Sequence, residues 1–324
     1  MKKTVLALFS AFAMTAVTAA FAQQTLQLSH NAAPGNPKAD ASLLFAKLVE
    51  EKTDGRVKVA VGGSAQYGDD TESLTNMRLG TLAFSANSQG PVSGVVPEFS
   101  VIGLPFMFRD LNHAYSVVDG PTGEQLKALA RAKGLEVLAF WDNGIRHTSN
   151  SKRPITAPAD LAGMKIRTPA DPITLDIFTA LGANPMSLAF SELYVALQQG
   201  VVDGQENPLM NIHSSKLHEV QKYITLTGHK YETTPFLASK IIFDSLSPAD
   251  QQAVKEAAKE AGEYNRQRSQ DADKELIQVL KDAGVEINEI DREQFAAQTT
   301  SVYDKWRKAH PEMVELVISE AQKQ

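Results

Sequence analysis

One helical stretch near the C-terminus sets the scale of any fold this chain can adopt. Ser247 is suited to an N-cap, Pro248 to the first helical position and Asp250 to the first turn, and Gly284 stops the run. Between them Val254, Ala257, Ala261, Tyr264, Leu276 and Leu280 fall on one stripe. Roughly 35 residues at about 1.5 Å each exceed about 50 Å, more than one lobe is wide, so the helix either bends or bridges two lobes.

Upstream, strand and helix patterns alternate. Leu26–His30 alternates like a strand, Pro37–Thr53 has helical spacing ended by Gly55, Val57–Val61 alternates again, and Thr71–Leu79 is a helix closed by Gly80. This is the rhythm of a parallel sheet covered by helices, an α/β fold. It continues through a strand at Leu82–Ser85, a polar loop from Asn87 to Gly94, a helix at about Leu111–Ala132 and a strand at Leu135–Phe140. Asn143-Gly144 is a turn signal, and the chain is expected to cross there into a second lobe. That lobe holds a strand at Met164–Arg167, a helix at Pro172–Leu181, a helix from Ser191 to Gln199 capped by Ser191, and a short strand at Val201–Asp203 before a Gln205–Asn207 turn. The expected division is 23–144 with 235–273 in one lobe and 145–234 with 274–324 in the other.

The N-terminus carries Lys2 and Lys3, an apolar run from Val5 to Ala20 and the small-x-small site Ala20-Phe21-Ala22, which reads as a secretory signal peptide over residues 1–22. The chain has no cysteine, so an exported product must rely on a hydrophobic core rather than on disulfides. Loss of the two leader lysines leaves 30 basic against 38 acidic side chains, a formal charge of −8. Such a balance excludes a nucleic-acid binder and requires any anion site to be built from a few local basic groups.

Arg167 is the foremost candidate for that role. It alternates with the apolar Met164 and Ile166, and Thr168-Pro169-Ala170 ends the strand, leaving the guanidinium at a carboxyl end, where ligands sit in open α/β sheets. A guanidinium is a permanently charged planar fork that matches a carboxylate through two parallel hydrogen bonds; the alternative is an ordinary surface arginine. Asn207, before Pro208, offers a donor and an acceptor, or closes a turn. Arg146 is either a second cationic contact or one half of an interlobe ion pair. Asp203 and Glu206 read as structural or charge-balancing, because a free carboxylate opposes a bound one. His213 and His218 miss metal-ligand spacing and read as solvated, Phe190 and Tyr194 read as core, and no zinc, P-loop, dinucleotide or nucleophile-elbow motif is present.

The run Lys165–Ala170, with Leu181–Pro185, Ala189–Tyr194 and Ala196–Pro208, resembles the substrate-binding proteins of tripartite ATP-independent periplasmic (TRAP) transporters. Similarity extends through Gln66–Asp70, Gly103–Phe106 and Asn143–Arg146, nearly the whole mature chain. The resemblance implies a two-lobed periplasmic binding protein fold with crossing segments and a long lobe-bridging helix. It implies that Arg167 pairs with a ligand carboxylate, Asn207 assists, Arg146 is the second arginine, Phe190 packs beside the ligand, and His30, Asn31 and Asp70 face the cleft from the other lobe. Asn87-Ser88-Gln89 stands where sialic-acid-binding relatives have an acidic residue, which disfavours sialic acid.

His30, Asn31, Asp70, Ser88 and Gln89 offer donors and acceptors to hydroxyls, so the expected ligand is a sugar acid such as glucuronate or galacturonate. A C4-dicarboxylate would need a second basic anchor, for which Arg146 is available. The expected receptor is periplasmic and monomeric, uses no cofactor, and delivers its ligand to a TRAP membrane permease. The competing readings are an exported enzyme using a pair among Asp69, Asp70, Asp203 and Glu206 on acidic sugars, and a binding protein of an ATP-driven importer.

Overall fold

The computed structural model describes residues 23–323; the leader at 1–22 lies outside the described residues. Strands β1 (Gln24–Ser29), β2 (Val57–Gly62), β3 (Phe84–Ala86), β4 (Leu135–Asn150), β5 (Lys165–Thr168), β6 (Asn184–Ser187), β7 (Gly204–Asn207), β8 (Tyr223–Ser239) and β9 (Glu286–Glu289) share one mixed sheet. Its order is β2-β1-β3-β8-β4-β7-β5-β6, with β9 beside β8. At one end β1 pairs in parallel with β2 and β3, which requires the crossover helices Pro37–Lys52 and Asp70–Leu79. At the other end β5 pairs in parallel with β6 and β7.

The two halves are joined by β4 and β8, antiparallel from Leu135↔Ser239 to Asn150↔Tyr223. Asn143-Gly144 is therefore no turn. The register shifts between Asp142 and Gly144, Gly144 takes φ 113°, and the strand bends but continues. A Cβ at Gly144 would lie 3.0 Å from Cβ of Pro208, so the close approach also favours glycine. Strand β8 carries no alternation that sequence reading can find, because almost every residue from Ile224 to Ser239 is buried, polar ones included.

Three further expectations are corrected. The helix expected over 111–132 is two, Leu111–Val118 and Pro121–Ala132, broken at Asp119-Gly120 because Pro121 has no N–H to continue the ladder. Ser191 caps nothing: a 3₁₀ turn over Phe190–Glu192 precedes the helix Leu193–Gln198. The strand expected at Val201–Asp203 begins instead at Gly204, so Gln205, Glu206 and Asn207 are strand residues, with Asn207 opposite His147.

The long helix runs from Pro248 to Asp282, with Ser247 Oγ accepting from the Asp250 amide at 3.1 Å. It bridges two cores. Val254, Ala257, Ala258 and Ala261 pack with Phe45, Phe84, Trp141 and Phe236, whereas Leu276 and Leu280 pack with Leu193, Leu197 and Ile212. Gly262 lets the Trp141 indole lie against the helix, since a Cβ there would come within 2.6 Å of the ring, and Trp141 Nε1 donates to Ala258 O at 2.9 Å. Tyr264 is 38% exposed, and Asn265 occupies the buried face instead, accepting from the Asp142 amide at 2.6 Å. No helix among the described residues is long and apolar enough to cross a membrane.

Asp142, buried at the bulge of β4, feels the charge of the half-buried Asp273 on the long helix. Burial pushes both carboxyls up to about 7, that of Asp142 also through the charge of Asp273. The folded chain thus keeps protons that the unfolded chain releases near the ordinary value of 3.8, so these two groups favour folding most at low pH and lose that contribution as pH rises through about 7. Thermal denaturation is expected to give a smaller drop in melting temperature between pH 5 and pH 8 for Asp142→Asn than for the parent. An unchanged drop would contradict the assignment.

Candidate functional site

A cavity of about 360 Å³ opens where the two halves of the sheet meet. The end of β5 contributes Arg167, β7 contributes Asn207, β4 contributes Asn143 and Arg146, and the segment after β6 contributes Leu188 and Phe190. Asn31, Asp70 and Ser88 face it from the first half, and Glu232 from β8.

Arg167 is a buried cation with no carboxylate in contact. It is 2% exposed, Nε and Nη2 both donate to Leu188 O at 3.0 and 2.7 Å, and no ion pair among the described residues includes it. Burial pulls its pKa down to about 10, so the guanidinium remains charged at neutral pH although its surroundings disfavour the charge. The Phe190 ring, half-buried rather than in the core, lies 5.8 Å from the guanidinium carbon and walls the same side. Anchored on one edge by a carbonyl, the fork keeps Nη1 and one Nη2 proton for an anion.

Arg146 differs in every respect that matters. Its Nε bonds Glu206 Oε2, Nη2 donates to Glu206 Oε1 at 2.7 Å, to Glu206 O at 2.6 Å and to Asn207 Oδ1 at 3.1 Å, and Nη1 lies 2.5 Å from Glu232 Oε2. Burial would lower its pKa, but the two carboxylates outweigh that and hold it above the ordinary arginine value. Burial likewise opposes ionisation of Glu206, yet Arg146 brings its pKa down to about 2. His229, whose pKa burial lowers against the opposing pull of Glu206, sits with Nε2 3.2 Å from Glu206 Oε2 and Nδ1 2.8 Å from Thr227 Oγ1.

Asparagines connect the halves. Asn36 Nδ2, at the N-cap of Pro37–Lys52, donates to Asn211 Oδ1 at 2.8 Å, and Asn211 Nδ2 reaches Asn143 Oδ1 at 3.2 Å and Asn207 Oδ1 at 3.1 Å. Asn207 Nδ2 also donates to Gln205 Oε1, leaving one amide proton free. On the opposite wall Asn31 Nδ2 donates to Asp70 Oδ2 at 2.7 Å, and Asn87 Nδ2 to Asp70 O at 2.9 Å. Burial raises the Asp70 pKa, and the Lys38 ammonium opposes that rise.

The structure thus gathers Arg167, Asn207, Arg146, Asn31, Asp70, Ser88 and Phe190 around one cavity. His30 and Gln89 are not on its wall: His30 is 3% exposed, its pKa lowered to about 4 by burial and then by Lys38, and Gln89 opens the short helix Gln89–Ser93 and accepts from the Thr233 amide at 3.2 Å. Sequence reasoning missed Glu232, Asn211, Asn143 and Lys38. Glu232 lies in the unrecognised strand β8, and Asn211 lies on the helix Leu209–Ser214, across Pro208 from the strand that carries Asn207, so no helical spacing links the two. His213 and His218 stack on each other, ring centroids 5.5 Å apart and partly buried, rather than standing free in solvent. No group of three or more His, Asp or Glu among the described residues is arranged for a metal ion.

Comparison with known proteins agrees with this geometry. Residues 28–309 match the model of the DctP family, bacterial extracellular solute-binding protein, family 7. The chain is 54% identical over 91% of its length to the uncharacterized protein y4mM of Sinorhizobium fredii, of which it spans 54%. It is 36% identical to the 2,3-diketo-L-gulonate-binding periplasmic protein YiaO of Escherichia coli, over 96% of this chain and 95% of that one.

Among solved structures, the sugar acid binding protein DctPAm of Advenella mimigardefordensis, in complex with galactonate, superposes with a TM-score of 0.91 at 34% identity, over 94% of this chain and 99% of that one. A TRAP periplasmic solute binding protein of a Sulfitobacter species holds β-D-galacturonate (TM-score 0.88, 33% identity, 91% and 98% covered). One from Sulfurospirillum deleyianum holds succinate (0.87, 35%, 93% and 99%).

The chain belongs to the DctP family of extracellular solute-binding proteins. It is a two-lobed periplasmic receptor of the TRAP type for small organic acids, not an enzyme, and its class works with membrane permease subunits.

Proposed function

We propose that the receptor captures a sugar acid carrying one carboxylate and several hydroxyls, of the aldonate or uronate kind. The observation that carries this reading is a buried arginine without an anionic partner, Arg167, in a cavity whose other charged wall residues are acidic or already paired. A ligand carboxylate on Arg167 relieves the uncompensated charge. Hydroxyls at the far end donate to Asp70 and Glu232 and meet the amides of Asn31 and Asn207. A charge-assisted bond contributes about 1.5 to 3 kcal/mol net, so a bidentate pair with several neutral bonds reaches the roughly 8 kcal/mol of micromolar binding. The galactonate and galacturonate held by similar proteins support the same ligand class.

A dicarboxylate is the second reading, favoured by the succinate in another similar structure. It is weaker here, because Arg146 already faces two carboxylates and a second ligand carboxylate would approach Asp70 and Glu232. We assign the lobes to 23–144 with 235–273 and 145–234 with 274–324, closing on the bulged strands β4 and β8, with Asn36 to Asn211 as a contact between them. The receptor acts as a monomer. Isothermal titration with galactonate, galacturonate, glucuronate and succinate tests the reading: micromolar binding of at least one sugar acid, tighter than succinate, is expected, and preference for succinate would refute it.

A further inference from the structure

The cavity contains two buried arginines, yet only one is free to receive an anion, and the residue that creates this asymmetry is Glu232. It lies on β8 with its side chain fully buried, accepts from the Gly90 amide through Oε1 at 3.2 Å, and turns Oε2 to within 2.5 Å of Arg146 Nη1. Glu206 already occupies Nε and Nη2 of the same guanidinium, so Glu232 engages the one edge left.

Two further cations lie nearby but are engaged elsewhere. The Lys230 ammonium is 4.0 Å from Glu232 Oε2 but hydrogen-bonds Asp171 at 2.5 Å and Thr174 at 2.8 Å, and Lys38 lies behind the wall, where the charges of Asp70 and Glu232 act on it. We propose that Glu232 is the specificity determinant that makes this a monocarboxylate site: by pairing with Arg146 it removes the second anion anchor and presents an acceptor to hydroxyls. The proposal rests on the sugar-acid reading above. It adds that the choice between a hydroxyl and a second carboxylate at the ligand's far end is made by one side chain.

An aldonate and the aldarate of the same carbon skeleton, which differ only in a terminal CH₂OH against COO⁻, isolate that choice. Titration calorimetry with galactonate and galactarate is expected to give the parent a preference of about a hundred-fold for the aldonate, as like-charge juxtaposition implies. Glu232→Gln leaves Nη1 of Arg146 facing the cavity without a carboxylate, and should narrow that preference to below about ten-fold, mainly by a gain in aldarate affinity. Glu232→Asp keeps the charge and should keep the parent's preference.

A folded Glu232→Gln protein with the parent's preference overturns the proposal and leaves the sugar-acid reading standing. A parent that binds succinate and no sugar acid overturns both. Should the glutamine variant fail to fold, a crystal structure of the parent soaked with galactarate decides. A ligand carboxylate seated on Arg146 refutes the proposal, and Arg146 still paired with Glu232, with no carboxylate on it, supports the proposal.

Discussion

Arg167→Met is expected to lose at least about a hundred-fold in affinity for the sugar acid while the ligand-free protein unfolds at the parent's temperature or slightly above it. The two halves of that expectation have one cause. Arg167 carries a buried charge whose only hydrogen-bond partner among the described residues is the Leu188 carbonyl, and burial already pulls its pKa down. Replacing it by an apolar side chain of similar length removes a group that the empty site tolerates at a cost.

In the complex the same substitution strands the ligand carboxylate in a buried site, and truncating one partner of such a pair costs about 2 to 5 kcal/mol. Calorimetry reads the first half and differential scanning fluorimetry, with and without ligand, the second. A variant that melts far below the parent, or that still binds tightly, would show that Arg167 is structural.

Glu206→Ala should do the opposite, lowering stability by about 3 to 5 kcal/mol before any ligand is considered. Its carboxylate accepts from Arg146 and meets His229, and Asn207 accepts from Arg146 in turn, so the deletion leaves a buried guanidinium with Glu232 as its one carboxylate. Guanidinium denaturation measures the loss. The pH dependence follows from the sign of the shift: the folded pKa is depressed from 4.5 to about 2, so the stabilisation is present above 4.5 and disappears as pH falls through about 2. A Glu206→Ala protein with the parent's midpoint would mean that the Arg146 network is not a structural centre. Two buried arginines about one cavity thus differ in compensation, one paired with two carboxylates and the other with none.

Much of this was legible in the residues. Caps and stops gave the long helix its limits because they act through local hydrogen bonds and φ preferences, and Ser247, Pro248 and Gly284 obey them. Arg167 at the end of β5 followed from alternation and from Pro169. What stayed hidden depends on tertiary burial. Strand β8, buried on both faces and interrupted by His229, Lys230 and Glu232, has no period to detect, and Glu232 was lost with it.

The Asn143-Gly144 signal marked a real irregularity, but a positive φ at Gly144 serves a bulge as well as it serves a turn, and only the pairing with β8 distinguishes them. From its sequence context alone, Arg146 fits a ligand contact and an ion pair equally well. It is paired with Glu206 and Glu232 at the edge of the cavity, and the sequence had no means of bringing three distant strands together. His30 and Gln89 have the chemistry that hydroxyl recognition needs, but both are buried away from the cavity wall.

A crystal structure of the receptor with galactonate tests the central claim most directly. The ligand carboxylate is expected on the free nitrogens of Arg167 at about 2.8 Å, with the Phe190 ring alongside and the hydroxyls directed at Asp70 and Glu232. A carboxylate seated elsewhere in the cavity, with Arg167 still bonded only to Leu188, would contradict it.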